Sequence, residues 1–240
     1  MQISVIIPMY NESKIIANTA SILSAYMSEK FESYEIIFSD DGSNDGSSEI
    51  VKKLDLPCVK VLDSNKNCGK GSAIRRAMLE ADGDIVMFTD ADLAYGVEVI
   101  SDMYDFYIEK SANQDIHMII GSRNLSKDGY CEYTAIRKIM SKLYIKILCA
   151  VGGFEFTDSQ CGCKAFRRDA AREIFSRTNV DGFAFDFEAI LLGKKLRYNI
   201  CEIPVKIVNH HASKVRVIRD SMKMLKELNG IKRNVKNMNI

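Results

Sequence analysis

Short apolar runs alternate with helical patterns through the first half of the chain. The apolar runs predict four buried strands, at Ile3–Pro8, Glu35–Ser39, Cys58–Leu62 and Asp84–Thr89. The periodic segments between them predict three helices, at Ser13–Ser28, Ser47–Leu54 and Ser72–Ala81. Strands that are apolar throughout and separated by helices are typical of a parallel sheet covered on both faces. The pattern therefore predicts an α/β fold with a mostly parallel central sheet and helices on both faces.

The second half of the chain has a less regular pattern. It predicts two further strands, at Met118–Gly121 and Asn199–Val205. An amphipathic helix is predicted at 136–151, with Ile139, Leu143, Ile147 and Val151 on one side. A basic amphipathic helix is predicted at 216–228, so we divide the chain into an α/β domain, 1–215, and a basic C-terminal helix or tail, 216–240. Both helices fit a membrane surface as well as they fit ordinary packing.

The composition favours one reduced, cytoplasmic α/β domain. With 240 residues and 47% hydrophobic residues, the chain is long enough for one substantial core. Its seven cysteines are odd in number and scattered, and the opening MQISVIIP lacks the basic start of a signal peptide. No run of residues approaches the ~18 apolar residues that a membrane-spanning helix needs.

The net charge of +1 conceals an uneven distribution. Residues 206–240 contain nine Lys and Arg against two Asp and Glu, while the first 205 residues contain 24 against 30. A basic end on a mildly acidic body indicates either an anionic partner, such as phosphate or a membrane surface, or a solvated helix face. No nucleic-acid partner is predicted.

A cluster of polar residues follows each of the four predicted strands of the first half. The clusters are MYNES, DDGSNDGS, SNKNCGKGS and DADLAYG, in chain order. The carboxyl ends of parallel strands meet at one edge of the sheet, and open α/β sheets bind ligands there. The sequence therefore predicts a ligand site at this edge.

The glycine-containing segment GKGSAI does not match the common nucleotide loops. Ile74 stands where a dinucleotide-binding loop has its third glycine, and Gly71 follows Lys70 where a P-loop needs Ser or Thr. These departures argue against a dinucleotide oxidoreductase and a P-loop NTPase. What remains is either a contact to phosphate, base or ribose at a helix N-terminus near Ser72, or a simple turn into that helix.

Two pairs of acidic residues lie at strand ends. Asp40 and Asp41 can accept hydrogen bonds from a nucleobase or a ribose, although part of their cluster is explained by helix capping. Asp90 and Asp92 form either an ordinary turn or a clamp for a divalent cation, which carboxylates bind together with substrate phosphates. Their position opposite the other polar clusters favours the clamp.

Eight short blocks of sequence resemble family 2 glycosyltransferases with the GT-A fold. In order, they are VIIPMYNE, DDGSNDGS, NCGKGSAIRRAM, FTDADLA, GSR, DSQCGCKAF, FDFE and EIPVKI with SKVR. The resemblance covers roughly residues 3 to 217. Within the family, the chain is most similar to the branch of dolichyl-phosphate glucosyltransferases and polyprenyl-phosphate glycosyltransferases.

The resemblance implies a role for each matching position. The residues expected to bind the nucleotide-sugar donor are Pro8, Tyr10, Asn11, Glu12, Asp40, Asp41, Gly69, Lys70, Asp90 and Ala91. Asp90 and Asp92 would hold Mg²⁺ or Mn²⁺. The residues expected to face an acceptor phosphate are Arg123, Arg137, Ser141, Ser213, Lys214 and Arg216. The catalytic group would be Asp92, Asp158 and Gln160, with the last two lining the sugar pocket.

The implied reaction is transfer of a hexose, with inversion, from a nucleoside-diphosphate sugar to a polyprenyl or dolichyl phosphate. Ala94 replaces a polar residue that mannosyl-transferring relatives often carry, which favours a UDP-sugar and glucose. A lipid phosphate is largely dianionic near neutral pH and needs no general base, whereas a hydroxyl acceptor would need one, with Asp158 as the candidate. The enzyme would contact the cytoplasmic membrane face peripherally.

Three alternatives stay open on the sequence alone. One is a glycosyltransferase that acts on a saccharide or another hydroxyl acceptor in surface polysaccharide assembly. The others are a nucleotidyltransferase and a non-catalytic protein that binds sugar nucleotides. A nucleotidyltransferase would be expected to carry a Gly-rich basic loop after its first strand, where this chain has PMYNES.

Overall fold

The computed structural model describes residues 1–130, 135–209 and 217–239, and the side chains of all of these except 135–137 and 217–223. The described strands are β1 (Ile3–Met9), β2 (Tyr34–Asp40), β3 (Val59–Leu62), β4 (Ile85–Phe88), β5 (Ile116–Ser122), β6 (Lys164–Arg167) and β7 (Asn199–Pro204). The described helices are α1 (Ile16–Lys30), α2 (Ser47–Lys53), α3 (Lys70–Glu80), α4 (Glu98–Ser111), α5 (Ala135–Gly152), α6 (Arg168–Phe175), α7 (Phe185–Lys195) and α8 (Val217–Asn237).

The seven described strands form one sheet in the order β3-β2-β1-β4-β6-β5-β7. Strands β1 to β4 pair in parallel, and β5 pairs in parallel with β7. Strand β6 lies between β4 and β5 and is antiparallel to both. The prediction of a mostly parallel sheet is therefore confirmed, with β6 as one antiparallel strand inside it.

The core lies on both faces of the sheet, as the apolar strands require. Along β1, Ile3, Val5 and Ile7 face helices α1 and α4, while Ile6 faces the opposite layer. That second layer is formed by α3 and by helices of the second half of the chain. Because successive side chains of a strand point to opposite faces, a strand between two layers must be apolar at every position.

Helix α8 packs its apolar side onto the second layer. Met224, Leu228, Ile231 and Val235 are buried there, and α8 contacts both α5 and α7. Among the helices that the structure describes, none combines the length and the apolar character that a membrane crossing requires.

The sequence predicted strands β1 to β5 and β7 within a few residues of their positions. Strand β6 and helices α4 and α6 were not predicted. Strand β6 is only four residues long and begins at Lys164, so its sequence, KAFR, does not read as a buried strand. Its identity depends on contacts with distant residues.

Candidate active site

The loops after β1 and β2 are joined by hydrogen bonds between them. Asn11 has a left-handed backbone conformation, with φ of 54°, which asparagine adopts more readily than most residues. Its backbone N–H donates to Ser43 Oγ over 2.8 Å, and its side-chain oxygen accepts from the N–H of Asn44 over 3.0 Å. The N–H of Glu12 donates to Ser47 Oγ over 2.8 Å. Tyr10, next to them, is exposed at this edge.

Pro8 lies inside β1, near the carboxyl end of the strand. Proline has no backbone N–H. An N–H at position 8 would point towards β4, because the carbonyl of Ile6, two residues earlier, accepts a hydrogen bond from the N–H of Thr89 on that side. Pairing of β1 with β4 stops at Ile6, so Pro8 interrupts no hydrogen bond of the sheet.

The carboxylates of Asp40 and Asp41 are buried and bind backbone amides. Asp40 accepts from the N–H groups of Gly42 and Ser43 over 3.0 and 2.8 Å. Asp41 accepts from the N–H groups of Cys68 and Gly69 over 3.0 and 2.7 Å, and this ties the end of β2 to the start of α3. Both acids therefore shape the loops of the site. A carboxylate has about four lone-pair positions, so each keeps room for a ligand donor.

Helix α3 begins at Lys70, directly after Gly69. Gly69 has φ of 116°, and a Cβ there would overlap the backbone carbonyl of Asp181, so only glycine fits. This turn directs the Lys70 ammonium to the Asp90 carboxylate, with which it forms an ion pair. Burial lowers the pKa of Lys70, but the Asp90 carboxylate outweighs burial and the net shift is upward. The lysine is therefore cationic at neutral pH.

The DAD segment is a tight turn after β4. The N–H of Leu93 donates to the Asp90 carbonyl over 3.0 Å, and the N–H of Ala94 donates to the Asp92 carboxylate over 3.1 Å. Leu93 has φ of 49°, which is a strained conformation for this residue type, and its buried side chain anchors the turn. Ala91 is buried, and its carbonyl accepts from Thr19 Oγ1 of α1 over 2.7 Å. The turn holds both carboxylates at the edge where the other polar clusters lie.

The carboxylate of Asp90 rests against Gly162. A Cβ at position 162 would overlap the Asp90 side-chain oxygens, so the close approach depends on glycine. The N–H of Gly162 donates to the hydroxyl of Tyr95 over 3.2 Å. The structure therefore brings together the end of β4 and the DSQCG segment. Tyr95 and Gly162 were not predicted as site residues, because neither one carries chemistry that a local motif would reveal.

Arg123 and Asp158 form a buried, bidentate ion pair. Arg123 Nε donates to Asp158 Oδ2 over 2.6 Å and Nη2 donates to Oδ1 over 2.9 Å, with a third bond of 3.1 Å from the Arg123 backbone N–H. Asp158 is fully buried, and the guanidinium lies 5.2 Å from the ring centre of Tyr130. Bidentate pairs of this kind are among the stronger interactions in proteins. Three hydrogen bonds from Arg123 therefore occupy the Asp158 carboxylate.

Glu202 of β7 holds the segment that precedes Asp158. Its carboxylate accepts from the backbone N–H groups of Thr157 and Asp158 over 2.8 and 3.1 Å. Gln160 is half-buried two residues further on. The hydroxyl of Ser141 on α5 lies 3.5 Å from the hydroxyl of Tyr130, whose ring lies under the Arg123 guanidinium. The structure therefore brings two of the predicted acceptor residues, Ser141 and Arg123, near each other. The side chain of Arg137, and all of Ser213, Lys214 and Arg216, lie outside the described residues.

The donor set of the site fits a divalent cation that is shared with a ligand. Within the described ranges, no group of three or more His, Cys, Asp or Glu side chains converges as a complete metal site. Asp90 and Asp92 supply hard carboxylate oxygens, and Mg²⁺ is typically held by one or two carboxylates together with substrate phosphates. The residues present therefore fit a metal that arrives with a diphosphate, and they do not form a closed structural metal site.

Known proteins are similar in sequence to this chain over nearly its whole length. The Dolichyl-phosphate beta-glucosyltransferase of Dictyostelium discoideum is 30% identical to this chain and is matched over 94% of this chain and 72% of its own length. The protein of the same name from Saccharomyces cerevisiae is 30% identical, with the same coverage. The one from Homo sapiens is 29% identical, over 95% of this chain and 74% of its own.

Solved structures share the fold at low sequence identity. Glucosyl-3-phosphoglycerate synthase from Mycobacterium tuberculosis, in complex with Mn²⁺, uridine diphosphate and phosphoglyceric acid, has a TM-score of 0.69 at 16% identity. It is matched over 100% of this chain and 80% of its own. Mannosyl-3-phosphoglycerate synthase from Rubrobacter xylanophilus has a TM-score of 0.67 at 18% identity, over 100% and 76% of the two chains.

The sheet and these structural neighbours show the GT-A fold. The model of Glycosyl transferase family 2 matches residues 4–175, and the chain belongs to that family. The resemblance inferred from the eight sequence blocks is thereby confirmed.

Proposed function

We propose that this protein transfers glucose, with inversion, from a UDP-sugar to dolichyl phosphate or a related polyprenyl phosphate. Relatives of about 30% identity over most of the chain bear the name dolichyl-phosphate beta-glucosyltransferase. Structural neighbours have been solved with Mn²⁺ and UDP-glucose bound. The observation that carries the proposal is the acidic turn Asp90-Ala91-Asp92, which meets Lys70 at the carboxyl edge of the sheet.

In the proposed reaction, Asp90 and Asp92 would hold Mg²⁺ or Mn²⁺ together with the diphosphate of the donor. Such a cation would supply positive charge to a diphosphate leaving group. Lys70 is the present counter-ion of Asp90. Lys70 would also supply positive charge to a phosphate oxygen of the donor. Tyr10, Asn11 and Glu12, with Asp40 and Asp41, would bind the nucleoside.

The pairing of Asp158 favours a phosphate acceptor over a hydroxyl acceptor. A hydroxyl must lose a proton as it attacks, and the sequence offered Asp158 as the base. That carboxylate is fully buried and engaged by Arg123 through two side-chain hydrogen bonds. A lipid phosphate is already largely dianionic, since its second pKa is about 6, and it needs a cation to guide it rather than a base. Arg123, 11% exposed and held in place by Asp158, is the described cation for that role.

We also propose that α5 lies on the membrane that supplies the lipid. Ile139, Met140, Leu143 and Ile147 are 66%, 51%, 52% and 36% exposed, so most of the predicted apolar stripe faces away from the core. The helix is held to the protein by its other side, through Ile145 and Leu148. Lys142 and Lys146 are exposed beside the stripe. An apolar face bordered by lysines is typical of helices at anionic membrane surfaces, where each cation adds roughly 1 kcal/mol.

A donor and acceptor screen tests the proposed reaction. Purified protein is incubated with UDP-glucose or GDP-mannose, with Mg²⁺, Mn²⁺ or EDTA, and with polyprenyl phosphate, phosphoglycerate or a free saccharide. We expect glucosyl-lipid from UDP-glucose only when metal and polyprenyl phosphate are both present. Lipid-independent transfer to a saccharide or to phosphoglycerate would overturn the acceptor, and full activity in EDTA would overturn the metal.

Vesicle sedimentation tests the membrane contact. We expect the protein to bind vesicles that contain anionic lipid, and we expect Leu143→Glu to reduce binding at least several-fold. Ile108→Glu is the matched control, because Ile108 is equally exposed, at 51%, on α4. Equal loss of binding in both variants, or in neither, would contradict a specific role for α5.

A further inference from the structure

A second charged pair lies inside the protein, next to the acidic turn. Lys164, the first residue of β6, is fully buried. Its ammonium donates to Asp186 Oδ1 over 2.6 Å and to the carbonyl of Cys161 over 2.6 Å, and it lies 5.6 Å from the ring centre of Phe88. A buried charge is costly unless it is paired and hydrogen-bonded, and this one is both.

The pair is built into the two elements that carry Asp90 and Gly162. Lys164 is the register partner of Phe88, which lies two residues before Asp90 at the end of β4. The carbonyl that Lys164 binds belongs to Cys161, the residue before Gly162. The Asp90 carboxylate rests on Gly162 so closely that a Cβ there would overlap it. Lys164 therefore fixes the peptide against which Asp90 is placed.

The pair is also coupled electrostatically to the acidic turn. Burial raises the pKa of Asp186, while the charges of Lys164 and Lys70 oppose that rise. The Asp90 carboxylate adds to the rise, so Asp186 and Asp90 lie within electrostatic reach of each other.

We infer that Lys164 and Asp186 are positioning residues that set the place of Asp90 for the metal–diphosphate complex. The inference rests on the proposed function, because it assumes that Asp90 binds a metal with the donor. A fold-supporting role alone predicts something different. Replacing both partners of a buried ion pair by neutral groups of similar shape is often neutral for stability. A pair that served only the fold would therefore be dispensable for ligand binding once both charges were removed.

The test measures binding of Mn²⁺ with UDP by titration calorimetry, and unfolding by circular dichroism. The first variant is the double substitution Lys164→Met/Asp186→Asn. We expect Mn²⁺–UDP binding to weaken roughly 10- to 100-fold, as is usual when groups that orient metal ligands are lost. The matched control is Lys60→Met/Glu35→Gln. In the parent protein, the Lys60 ammonium lies 2.7 Å from the buried carboxylate of Glu35, near the beginning of β2 and at the opposite end of the strands from the site. The control should bind like the parent protein.

A second variant, Gly162→Ala, covers the case in which the double variant does not fold. It leaves the Lys164–Asp186 pair intact and pushes directly on Asp90, so we expect a similar loss of Mn²⁺–UDP binding. Parent-like binding by a folded double variant, or by Gly162→Ala, would overturn the inference. Failure of the parent protein to bind Mn²⁺ with UDP would instead overturn the proposed function, so the two failures are distinguishable.

Discussion

The two halves of the site hold their charged side chains in different ways. On the side of β1, β2 and β3, the acids bind backbone N–H groups of nearby turns, as Asp40 does with residues two and three positions later. On the side of β5, β6 and β7, side chains pair with distant side chains. Arg123 and Asp158 are 35 residues apart, and Lys164 and Asp186 are 22 apart. The acids of the first half are held by backbone amides, some close in sequence and some distant, as Asp41 is by Cys68 and Gly69. The charged groups of the second half are held by other side chains.

This difference sets what each substitution should cost. An acid that binds the amides at the start of a helix contributes typically about 1 kcal/mol to stability. Removing one partner of a buried ion pair leaves an uncompensated charge and costs about 3–5 kcal/mol. We therefore expect the largest losses of stability in the second half of the site, and the largest selective losses of activity at the acidic turn between the halves.

The largest effect on stability is expected for Asp158→Asn. The substitution leaves the Arg123 guanidinium buried without its carboxylate, so we expect the free energy of unfolding in urea to fall by about 3–5 kcal/mol. The double variant Arg123→Met/Asp158→Asn removes both charges and should recover much of that loss. A single variant as stable as the parent protein would contradict the pairing.

The largest selective effect on activity is expected for Asp92→Asn. If Asp92 binds the metal with the donor diphosphate, kcat should fall by about 10²–10³, a loss comparable to removing one preorganised charge-stabilising group. Its melting temperature should change little, because the Ala94 N–H still finds a side-chain oxygen at position 92. Turnover is measured with UDP-glucose and polyprenyl phosphate.

The control for Asp92→Asn is Asp55→Asn, at an exposed position beyond the end of α2. Asp55 has φ of 45°, a conformation that asparagine tolerates, so the control should keep both fold and activity. Undiminished turnover in Asp92→Asn would remove that residue from the metal site.

The same contrast explains what the sequence predicted. The parallel strands and the polar clusters at their ends were predicted because each depends on a local pattern: an apolar run, a turn, an acid pair. For Asp90 and Asp92, a turn and a metal clamp are not exclusive alternatives. The segment is a turn, with bonds of 2.8 to 3.1 Å from Asp90 to Gly96, and the turn is what presents both carboxylates.

The second half of the site was not predictable in the same way. Lys164 makes KAFR look like an exposed segment, and it is buried only because Asp186 meets it from α7. The pairing of Asp158 with Arg123 depends on the packing of β5 against the segment that β7 holds through Glu202. Long-range pairs leave no periodic trace, so the sequence indicated Arg123 and Asp158 without their pairing and did not indicate Lys164 or Asp186 as site residues.

The smallest effect is expected at Asp45, in the half of the site whose acids bind backbone amides. Burial would raise the pKa of its carboxyl, but hydrogen bonds from Ser47 and Ser13 outweigh burial and lower the pKa to about 2. A carboxyl with a depressed pKa stabilises the folded state above its unfolded pKa of about 4, and that stabilisation disappears as the pH falls towards 2.

Because Asp45 is exposed, we expect Asp45→Ala to cost at most about 1 kcal/mol at pH 6. Urea unfolding of parent and variant at pH 6 and pH 3 measures the difference, which should shrink at the lower pH. A difference that stays constant or grows on acidification would mean that the ionised carboxylate does not hold this loop.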